Sequence, residues 1–497
     1  MPNKEEKRCM SEYKYAKYVT SHQETRWATI EEIQQSGAYV DLTQEHYPAA
    51  GLPLISDGKN AWVDNTDTHS LIFGATGSKK TRLFCMPMLN MFIKAGESFI
   101  VTDPKGELYE RSSGMAKANG YNTVVLNFRD LGQGDMWNPL HLPYELYHQG
   151  KTEEAVTMLN DFVSCIAAKQ FESTKDVFWP EMASSYAIAC LLLLMECAEK
   201  DEANVASLGA LCNENAVPDL TMLSNHMRDE TIAGMNFKAV LSASEKTRQS
   251  ILVSLYGMIR VFNVQKQLSN MLSGNTIDMS DIGKEKTAVY LVIPDEKTTF
   301  HFLATTFIKQ AYEILIKEAQ HSAGRVLPVR VNFVLDEFCN IPTISDMPSM
   351  ISAARSRNMR FFLVVQSLHQ MKSRYGEDAD TIKGNCDNWV FLTSKELALL
   401  EEISNLCGTV YSSEGKQYSL ISVSQLQRLD KKKGEALIMH ARQYPVISEI
   451  ADIDMYESFK GYPAVPMQKF DIPEARIFSL KKLMDKVLEE EIPIPFS

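Results

Sequence analysis

The chain has 497 residues, of which 45% are hydrophobic and 23% are charged. That balance is typical of a folded globular protein and excludes a disordered one. The length predicts two domains, or one domain with a large insertion. A net charge of −12 argues against a protein that coats nucleic acid with its whole surface, but it is compatible with DNA contact through a narrow basic pore or face.

Cysteine spacing and the N-terminus exclude further classes of protein. The nine cysteines show no pairs or Cys/His clusters at metal-ligand spacing, so we expect no zinc site and free thiols in a reducing cytoplasm. Residues 1–30 form a polar lead-in without the apolar segment of a signal peptide. The longest apolar run, 187–195, is shorter than the roughly 20 residues of a membrane span, so we predict a buried helix there and no transmembrane helix in the chain.

After a short amphipathic helix at 29–36 and a stretch of turn residues, apolar runs alternate with helical stretches. Short β-branched or aromatic runs that end at a turn or a polar residue are typical of buried parallel strands. Their alternation with helices predicts βαβ crossovers and a doubly wound α/β sheet. The predicted strands are 70–73, 98–102, 123–127, 288–293, 332–335, 361–365 and 389–393.

The alternation of strands and helices stops in the middle of the chain. The segment between about 143 and 272 has long helical periodicity, few strand signals and few glycines. We therefore predict an all-α domain at 143–272, inserted into an α/β domain that is formed by 31–142 and 273–468. Residues 469–497 are acidic and contain spaced prolines, which predicts a C-terminal tail on the surface.

A glycine-rich loop, GATGSKKTR, lies between the strand at 70–73 and a helical stretch, as a Walker A loop does. Loop amides and the helix N-terminus favour phosphate, Lys80 would contact the β and γ phosphates, and the Thr81 hydroxyl would bind Mg²⁺. For the loop alone, a glycine-rich turn ahead of a helix is the alternative. The predicted nucleotide-binding residues are Gly74, Ala75, Thr76, Gly77, Ser78, Lys79, Lys80, Thr81 and Arg82.

One residue departs from the Walker A pattern, because Lys79 stands where a glycine is usual. If this position has a positive φ, a lysine there costs about 1–2 kcal/mol. The charge of Lys79 could offset part of that cost by facing phosphate.

The sequence VNFVLDEF places Asp336 and Glu337 at the end of an apolar strand, as in a Walker B motif. There Asp336 would hold Mg²⁺ and Glu337 would polarise the attacking water. Taken alone, the motif is also compatible with a strand that ends in a solvated acidic pair. Two such motifs at the ends of buried strands favour ATP and Mg²⁺ as cofactors and ATPase as the activity.

Three further residues near the strand at 361–365 are candidates for the same site. Gln366 ends that strand and would report on the γ-phosphate, although a capping role is the alternative. Arg355 and Arg357 precede the strand and are candidates for an arginine finger that reaches a neighbouring subunit. We prefer Arg355 for that role, and a solvated basic helix face is the alternative for each arginine.

In their order, these motifs resemble those of the type IV coupling proteins. These are the TraG/TraD-type ATPases of conjugation and type IV secretion, which are related to the FtsK and HerA DNA pumps. Beyond the all-α insertion, the resemblance rests on RWATIEEI, VTDPKGELYE, WNPL, VLDEF and VVQSLHQM, and it extends from about residue 26 through Gln366 and more loosely to 465.

The resemblance implies a RecA-like nucleotide-binding domain with an all-α domain, assembled as a homohexamer on DNA. It implies a relaxase and single-stranded DNA as substrates, which are passed to the ATPase and inner-membrane components of a secretion channel. The family's N-terminal transmembrane hairpin has no counterpart here. We therefore expect either that this segment was removed or that a membrane-anchoring partner holds a cytoplasmic protein at the cytoplasmic face of the cell membrane.

Two other functions stay open on the sequence alone. A nonhydrolysing adaptor that only docks substrates is compatible with Lys79 in the loop. An FtsK-like chromosome pump is less compatible, because no winged-helix segment that reads DNA follows the core. The Asp-Pro-Lys-Gly turn at 103–106 is expected to support the nucleotide loop rather than to take part in chemistry.

Overall fold

The computed structural model describes residues 25–173, 176–227, 231–469 and 473–490. Most of the predicted lead-in at 1–30 lies outside these residues, and so do parts of the predicted tail at 469–497. The described chain divides by its contacts into two compact units, each of which is discontinuous in sequence. The first consists of Met1–Val124, Asp278–Asp295 and Ala311–Pro466, and the second of Val125–Ile277, Glu296–Gln310 and Met467–Ser497.

The described strands form two sheets and one hairpin. In chain order they are β1 Ala38–Asp41, β2 Leu52–Ser56, β3 Asn60–Asp64, β4 Ser70–Phe73, β5 Ser98–Asp103, β6 Asn122–Asn127, β7 Thr287–Val292, β8 Val331–Leu335, β9 Met359–Val365, β10 Asn388–Phe391, β11 Thr409–Tyr411, β12 Gln417–Ser419, β13 Glu435–His440 and β14 Val446–Glu449.

The described α-helices lie between and beyond these strands. In chain order they are α1 Ile30–Ser36, α2 Met86–Ala95, α3 Glu107–Ala118, α4 His141–His148, α5 Thr152–Ser173, α6 Phe178–Cys197, α7 Val205–Leu211, α8 Val217–His226, α9 Ile232–Leu241, α10 Glu245–Val264, α11 Lys266–Met271, α12 Asp281–Lys284, α13 His301–His321, α14 Met347–Ala354, α15 Leu368–Tyr375, α16 Asp378–Gly384, α17 Leu397–Leu406, α18 Val423–Leu426 and α19 Leu480–Glu490.

The main sheet has nine strands in the order β14-β13-β10-β4-β9-β8-β5-β7-β6. Strands β10, β4, β9, β8, β5 and β7 pair in parallel and contain buried, largely apolar residues, as βαβ crossovers require. Each predicted strand is present to within about two residues, which is the usual uncertainty of an element's end. The α/β fold with a doubly wound sheet is therefore confirmed.

The edge of this sheet was not predicted. β13 pairs antiparallel with β10, and β14 pairs antiparallel with β13, so the sheet is mixed. Their sequences, EALIMH and VISE, are short, and no helical crossover separates them. A short connection permits only an antiparallel neighbour, which is why the βαβ rhythm did not reveal them.

A second sheet lies ahead of the nucleotide loop in the sequence and was also missed. Helix α1, predicted at 29–36, begins after a capping box in which Thr29 and Glu32 bond to each other's main-chain amides. Strands β1, β3 and β2 follow as an antiparallel sheet in that order. The strands lie between glycines, prolines and short polar segments, which the sequence analysis interpreted as turns.

The second unit contains helices α4 to α11, and its described residues between α4 and α11 form no strand. The predicted all-α range, 143–272, falls inside its Val125–Ile277 segment. The unit also includes Glu296–Gln310, which the prediction placed in the α/β domain. Within this unit, Lys309 of α13 forms an ion pair with Asp161 of α5 at 2.7 Å, and this contact could not be read from the sequence.

Helix α6 contains the apolar run at 187–195, and every residue of that run is buried, as predicted. Among the described residues, α6 is the one helix whose length and composition would allow it to cross a membrane, and 67% of its most apolar window is buried inside the protein. A buried core helix of a soluble protein can have the same length and composition, so α6 is weak evidence for a membrane span.

Candidate phosphate-binding site

The glycine-rich loop lies at the carboxyl end of β4, between the ends of β9 and β10. The amide of Gly74 donates to the carbonyl of Val365 at 3.1 Å, and the amide of Ala75 donates to the carbonyl of Thr393 at 2.9 Å. A π-helical turn, Thr81–Cys85, then continues into α2. The loop is therefore at the carboxyl edge of the sheet, where open α/β sheets bind their ligands.

The loop encloses a small polar cradle. A Cβ atom added to Gly74 would lie 2.3 Å from the Oγ of Ser78, so a side chain there would close the loop. The Oγ of Ser78 is buried and has no hydrogen-bond partner. Gly77 has a φ of +75°, which turns the chain so that successive amides can face one anion. An orphaned hydroxyl in such a loop fits a phosphate group.

Lys80 is a buried cation whose hydrogen bonds go to neutral groups. Its Nζ donates to the carbonyls of Gly74 at 2.5 Å and Ala75 at 3.4 Å. Burial lowers the pKa of Lys80, and the nearby carboxylates of Asp336 and Glu337 oppose that shift. A buried charge is costly unless it is compensated by an opposite charge. The position of Lys80 therefore fits an anion that binds in the loop.

Lys79 occupies the left-handed region that a glycine would adopt freely, with a φ of +72°. For a lysine this conformation costs about 1–2 kcal/mol. We expected that its charge could face phosphate. In the structure its Nζ instead forms an ion pair with the Oδ2 of Asp452 at 2.9 Å.

Arg82, which was predicted among the nucleotide-binding residues, also faces acidic side chains. Its Nε donates to the Oδ2 of Asp452 at 3.2 Å, and its terminal nitrogen Nη2 contacts both Asp452 and Asp454. Burial raises the pKa of Asp452, but the hydrogen bonds from Arg82 and Lys79 outweigh it and lower the pKa to about 2. The carboxylate of Asp452 is thus charged at neutral pH and balances two cations.

The predicted metal ligands lie together. The hydroxyl of Thr81 donates to the Oδ2 of Asp336 at 3.0 Å, and the hydroxyl of Thr102 donates to the Asp336 carbonyl at 2.8 Å. Burial raises the pKa of Asp336 to about 6, against the opposing effects of Lys80 and Thr81. A hydroxyl and a carboxylate are the hard oxygen ligands that Mg²⁺ prefers, so these residues fit the metal.

Glu337 follows Asp336 in a strained conformation, with φ +55° and ψ +42°. Its Oε1 accepts from the Nε2 of Gln366 at 3.2 Å, and its Oε2 accepts from the side chain of Asn340. Strained main-chain conformations occur preferentially at functional sites. The carboxylate is held in one orientation by two amides, as the base that orients a water would be.

Gln366 also contacts the glycine-rich loop at 74–82, which we call the phosphate loop. Its Oε1 accepts from the hydroxyl of Thr76 at 3.3 Å. A chain of hydrogen bonds therefore runs from Thr76 of the loop through Gln366 to Glu337. A change in the loop when phosphate binds would be transmitted to the carboxylate by this route.

Arg355 lies at the amino-terminal end of the parallel strands, whereas the glycine-rich loop lies at their carboxyl-terminal end. It lies before the start of β9, its side chain is 55% exposed, and it pairs with Asp387 at 2.8 Å. Strand β9 has 7 residues, which at roughly 3.3 Å per residue separates the two ends by about 20 Å. Arg357 donates to the carbonyl of Ala353 at 2.7 Å in the same turn. Neither arginine lies near the loop of its own chain.

The turn at 103–106 supports the neighbouring helix. Asp103 Oδ2 accepts from the amide of Tyr109 at 2.8 Å, and Gly106 has a φ of +76° that the tight corner requires. Burial raises the pKa of Asp103 to about 6. The structure places this carboxylate at the N-terminus of α3 as a cap for that helix, and the expected support of the nucleotide loop stays a prediction.

Three residues of the site were missed. Asn340 binds Glu337, and Asp452 binds Lys79. The Nζ of Lys431 lies 4.0 Å from the position that a Cβ of Gly77 would occupy. Asn340 follows Glu337 by three residues and could have been found as a local partner. Asp452 and Lys431 are distant in sequence, and no local pattern marks them.

Zinc was not expected, and the described residues contain no group of three or more His, Cys, Asp or Glu side chains that could hold a metal ion. The described cysteines are free thiols, and most of them are buried.

Comparison with known proteins places the site in a family. The family described as "Type IV secretory system Conjugative DNA transfer" matches residues 26–433. The conjugal transfer protein TraG of Escherichia coli is 23% identical over 495 residues, which cover 89% of this chain and 75% of that protein. VirD4 of Rhizobium radiobacter is 21% identical over 494 residues, which cover 96% of this chain and 67% of that protein.

Solved structures show the same fold. The plasmid coupling protein TrwB in complex with the non-hydrolysable ATP analogue ADPNP matches with a TM-score of 0.60 and 13% identity, over 90% of this chain and 96% of that one. TrwB with ADP and Mg²⁺ matches with a TM-score of 0.54 and 12% identity, over 92% and 97% of the two chains. Because the family match spans more than half of the sequence, the chain belongs to the type IV secretory system conjugative DNA transfer family, and the protein is a coupling protein of conjugative and type IV secretion systems.

Proposed function

We propose that this coupling protein binds ATP with Mg²⁺ at the loop of residues 74–82 and hydrolyses it. The observation that carries the proposal is the contact between Thr81 and Asp336, which brings the two predicted metal ligands within 3.0 Å beside the buried cation Lys80. The structures of TrwB with ADPNP and with ADP and Mg²⁺ support the same choice of ligand for a related fold.

The residues that lie together at the loop have distinct roles in this proposal. The loop amides and Lys80 bind the phosphates, while Thr81 and Asp336 bind Mg²⁺, which neutralises charge on the β and γ phosphates. Glu337 orients the attacking water and accepts its proton. Gln366 senses the γ-phosphate through Thr76.

The substrate of the proposed motor is a relaxase joined to single-stranded DNA, which it passes to the ATPase and inner-membrane components of the secretion channel. The chain would assemble as a homohexamer on DNA at the cytoplasmic face of the cell membrane, with a membrane-anchoring partner. The exposed Arg355, at the sheet edge opposite its own loop, supports a role as a finger for a neighbouring subunit. A net charge of −12 argues against DNA contact over the outer surface, so the proposal places DNA in a basic pore.

The test is ATP turnover with and without single-stranded DNA. We expect turnover by the wild type that DNA stimulates, and a loss of at least about 100-fold in Lys80→Ala, because the phosphate charge loses its buried partner. Lys151→Ala removes an exposed lysine just before α5 and serves as the matched control, with unchanged turnover. Turnover that survives Lys80→Ala would reject the assigned site.

One observation favours a second function, a nonhydrolysing adaptor that docks substrates. Lys79 has a left-handed conformation at a position where a glycine is usual and would adopt it freely. The strain at Lys79 could slow ATP hydrolysis without preventing the docking of substrates. The same assay separates the two functions. No DNA-stimulated turnover in the wild type, together with turnover restored by Lys79→Gly, would favour the adaptor over the motor.

A further inference from the structure

A short acidic segment contacts the phosphate loop from outside the family match. We call residues 452–454 the acidic turn. It follows β14, and it lies beyond residue 433, where the family match ends. Asp452 of this turn binds the side chains of both Lys79 and Arg82, which flank the predicted phosphate and metal contacts Lys80 and Thr81.

The acidic turn is anchored to the rest of the first unit. On its N-terminal side, the amide of Ala451 donates to the carbonyl of Ser56 at 3.1 Å. On its C-terminal side, the hydroxyl of Tyr456 donates to the Oγ of Ser56 at 2.8 Å, and Tyr456 is fully buried. The carboxylate of Asp452 therefore projects from a fixed part of the chain, with only 20% of its side chain exposed.

The left-handed conformation of Lys79 makes a fixed partner at this position favourable. A glycine with positive φ has no Cβ penalty, whereas a lysine prefers to leave the left-handed region. In the structure, Lys79 forms the ion pair with Asp452 at its observed φ of +72°, so the pair favours this left-handed conformation. The pair is partly shielded from water and shares its carboxylate with Arg82, so it forms a small network rather than an isolated surface pair.

We propose that Asp452 is a positioning residue that holds the phosphate loop in its binding conformation at Lys79, and so replaces the conformational freedom that a glycine would supply. This inference rests on the proposed nucleotide site. The carboxylate of Asp452 also has an opposing effect, because a negative charge beside the loop repels phosphate. If Asp452 had no positioning role, removing its charge would therefore tighten phosphate binding.

The test combines changes at residues 79 and 452 and measures the equilibrium affinity for a fluorescent ATP analogue with Mg²⁺, together with the melting temperature. We expect Asp452→Asn to weaken binding about three- to tenfold, the range of a partly shielded ion-pair network. Asp452→Glu keeps the charge and should stay within about threefold of wild type. Lys79→Gly needs no ion pair, so adding Asp452→Asn to it should change the affinity by less than about twofold.

The matched control is Asp454→Asn, which removes the same charge from the same turn but does not contact Lys79. We expect it to change the affinity by less than about twofold. Unchanged or tighter binding in Asp452→Asn, or an equal loss in the Lys79→Gly background, would overturn the inference while leaving the nucleotide site in place. Wild-type binding no tighter than that of Lys80→Ala would instead reject the nucleotide site itself and, with it, this inference.

Discussion

The hydroxyl of Thr81 and the carboxylate of Asp336 lie 3.0 Å apart, although 255 positions separate them in the sequence. Thr81 opens the helix after β4, and Asp336 follows β8, with β9 between the two strands in the sheet. Parallel strands bring their carboxyl ends to one edge, and so these two motifs meet there. Their contact brings together the two protein oxygen ligands that the proposed Mg²⁺ site would use.

Thr81→Ala should weaken the Mg²⁺ dependence of nucleotide binding. Without the hydroxyl, the ion loses one protein ligand, so we expect Mg²⁺ to enhance ATP affinity about tenfold less than in wild type. Thr81→Ser keeps the hydroxyl and is the control. Titrations in Mg²⁺ and in EDTA measure the difference, and an unaltered Mg²⁺ effect in Thr81→Ala would contradict the assignment.

Glu337→Gln should separate binding from hydrolysis. The amide keeps the shape and a hydrogen-bond acceptor for Gln366, but it cannot take a proton from water, so we expect turnover to fall by at least about 100-fold. ATP affinity should stay within about threefold of wild type, because no phosphate contact is lost. Phosphate release and analogue binding measure the two quantities, and a parallel loss of both would place Glu337 in binding instead.

Gln366→Ala should reduce turnover more than Thr76→Val. Gln366→Ala removes the hydrogen bonds to both Thr76 and Glu337, whereas Thr76→Val removes only the bond between Thr76 and Gln366. One such bond contributes about 1 kcal/mol, so about a fivefold effect is expected for Thr76→Val. The double variant tests the connection between them. It should be no slower than Gln366→Ala alone, and fully multiplicative losses would contradict the route through Gln366.

Arg355→Ala should be complemented by Lys80→Ala. Each variant alone would lack either the finger or the phosphate contact at every subunit boundary, so both should be nearly inactive. In equal mixtures that co-assemble randomly, about a quarter of the boundaries combine an intact loop with an intact Arg355. Turnover near that fraction of wild type is expected. Mixtures as inactive as the separate variants would exclude action between subunits.

His69 should make the fold sensitive to mild acid. Its Nε2 donates to the Ile351 carbonyl at 2.7 Å and its Nδ1 accepts from the Phe361 amide at 3.0 Å, which fixes a neutral ring. Burial lowers its pKa from 6.5 to about 4. The unfolded chain then binds more protons than the folded chain between these values, so stability is full above pH 6.5 and falls as the pH drops towards 4.

His69→Gln isolates this effect, because Asp103 and Asp336 titrate alike in both proteins. Between pH 7 and pH 5 the wild type should lose about 2 kcal/mol more unfolding free energy than the variant does, as the pKa difference implies. Denaturant unfolding at the two pH values measures it. An equal loss in both proteins would show that the ring is not held neutral.

Much of the fold and site follows from local sequence. The apolar runs at β4, β8 and β9 were recognisable because buried parallel strands are short, apolar and followed by helices. Because the strands are parallel, the polar groups at their carboxyl ends lie on the same side of the sheet. Asp336 and Gln366 were predicted because they end such strands, and Thr81 was predicted from the Walker A pattern. The left-handed conformation at Lys79 could be anticipated because only a glycine usually stands there.

The remaining features depend on contacts between distant residues. Asp452 reaches Lys79 across 373 positions, and no periodicity or motif links them. Strands β13 and β14 pair through antiparallel connections that carry no helical signal. The ion pair between Arg355 and Asp387 likewise depends on the order of strands in the sheet, which could not be predicted from the sequence.

Isothermal titration of the chain with ADPNP and Mg²⁺ tests the nucleotide site most directly. The site geometry predicts one nucleotide per chain, with affinity at least about tenfold lower in Lys80→Ala, which lacks the buried cation, and unchanged in Lys151→Ala. Equal affinities for the wild type and Lys80→Ala, or no binding by the wild type, would contradict the assignment of the loop at 74–82 as the nucleotide site.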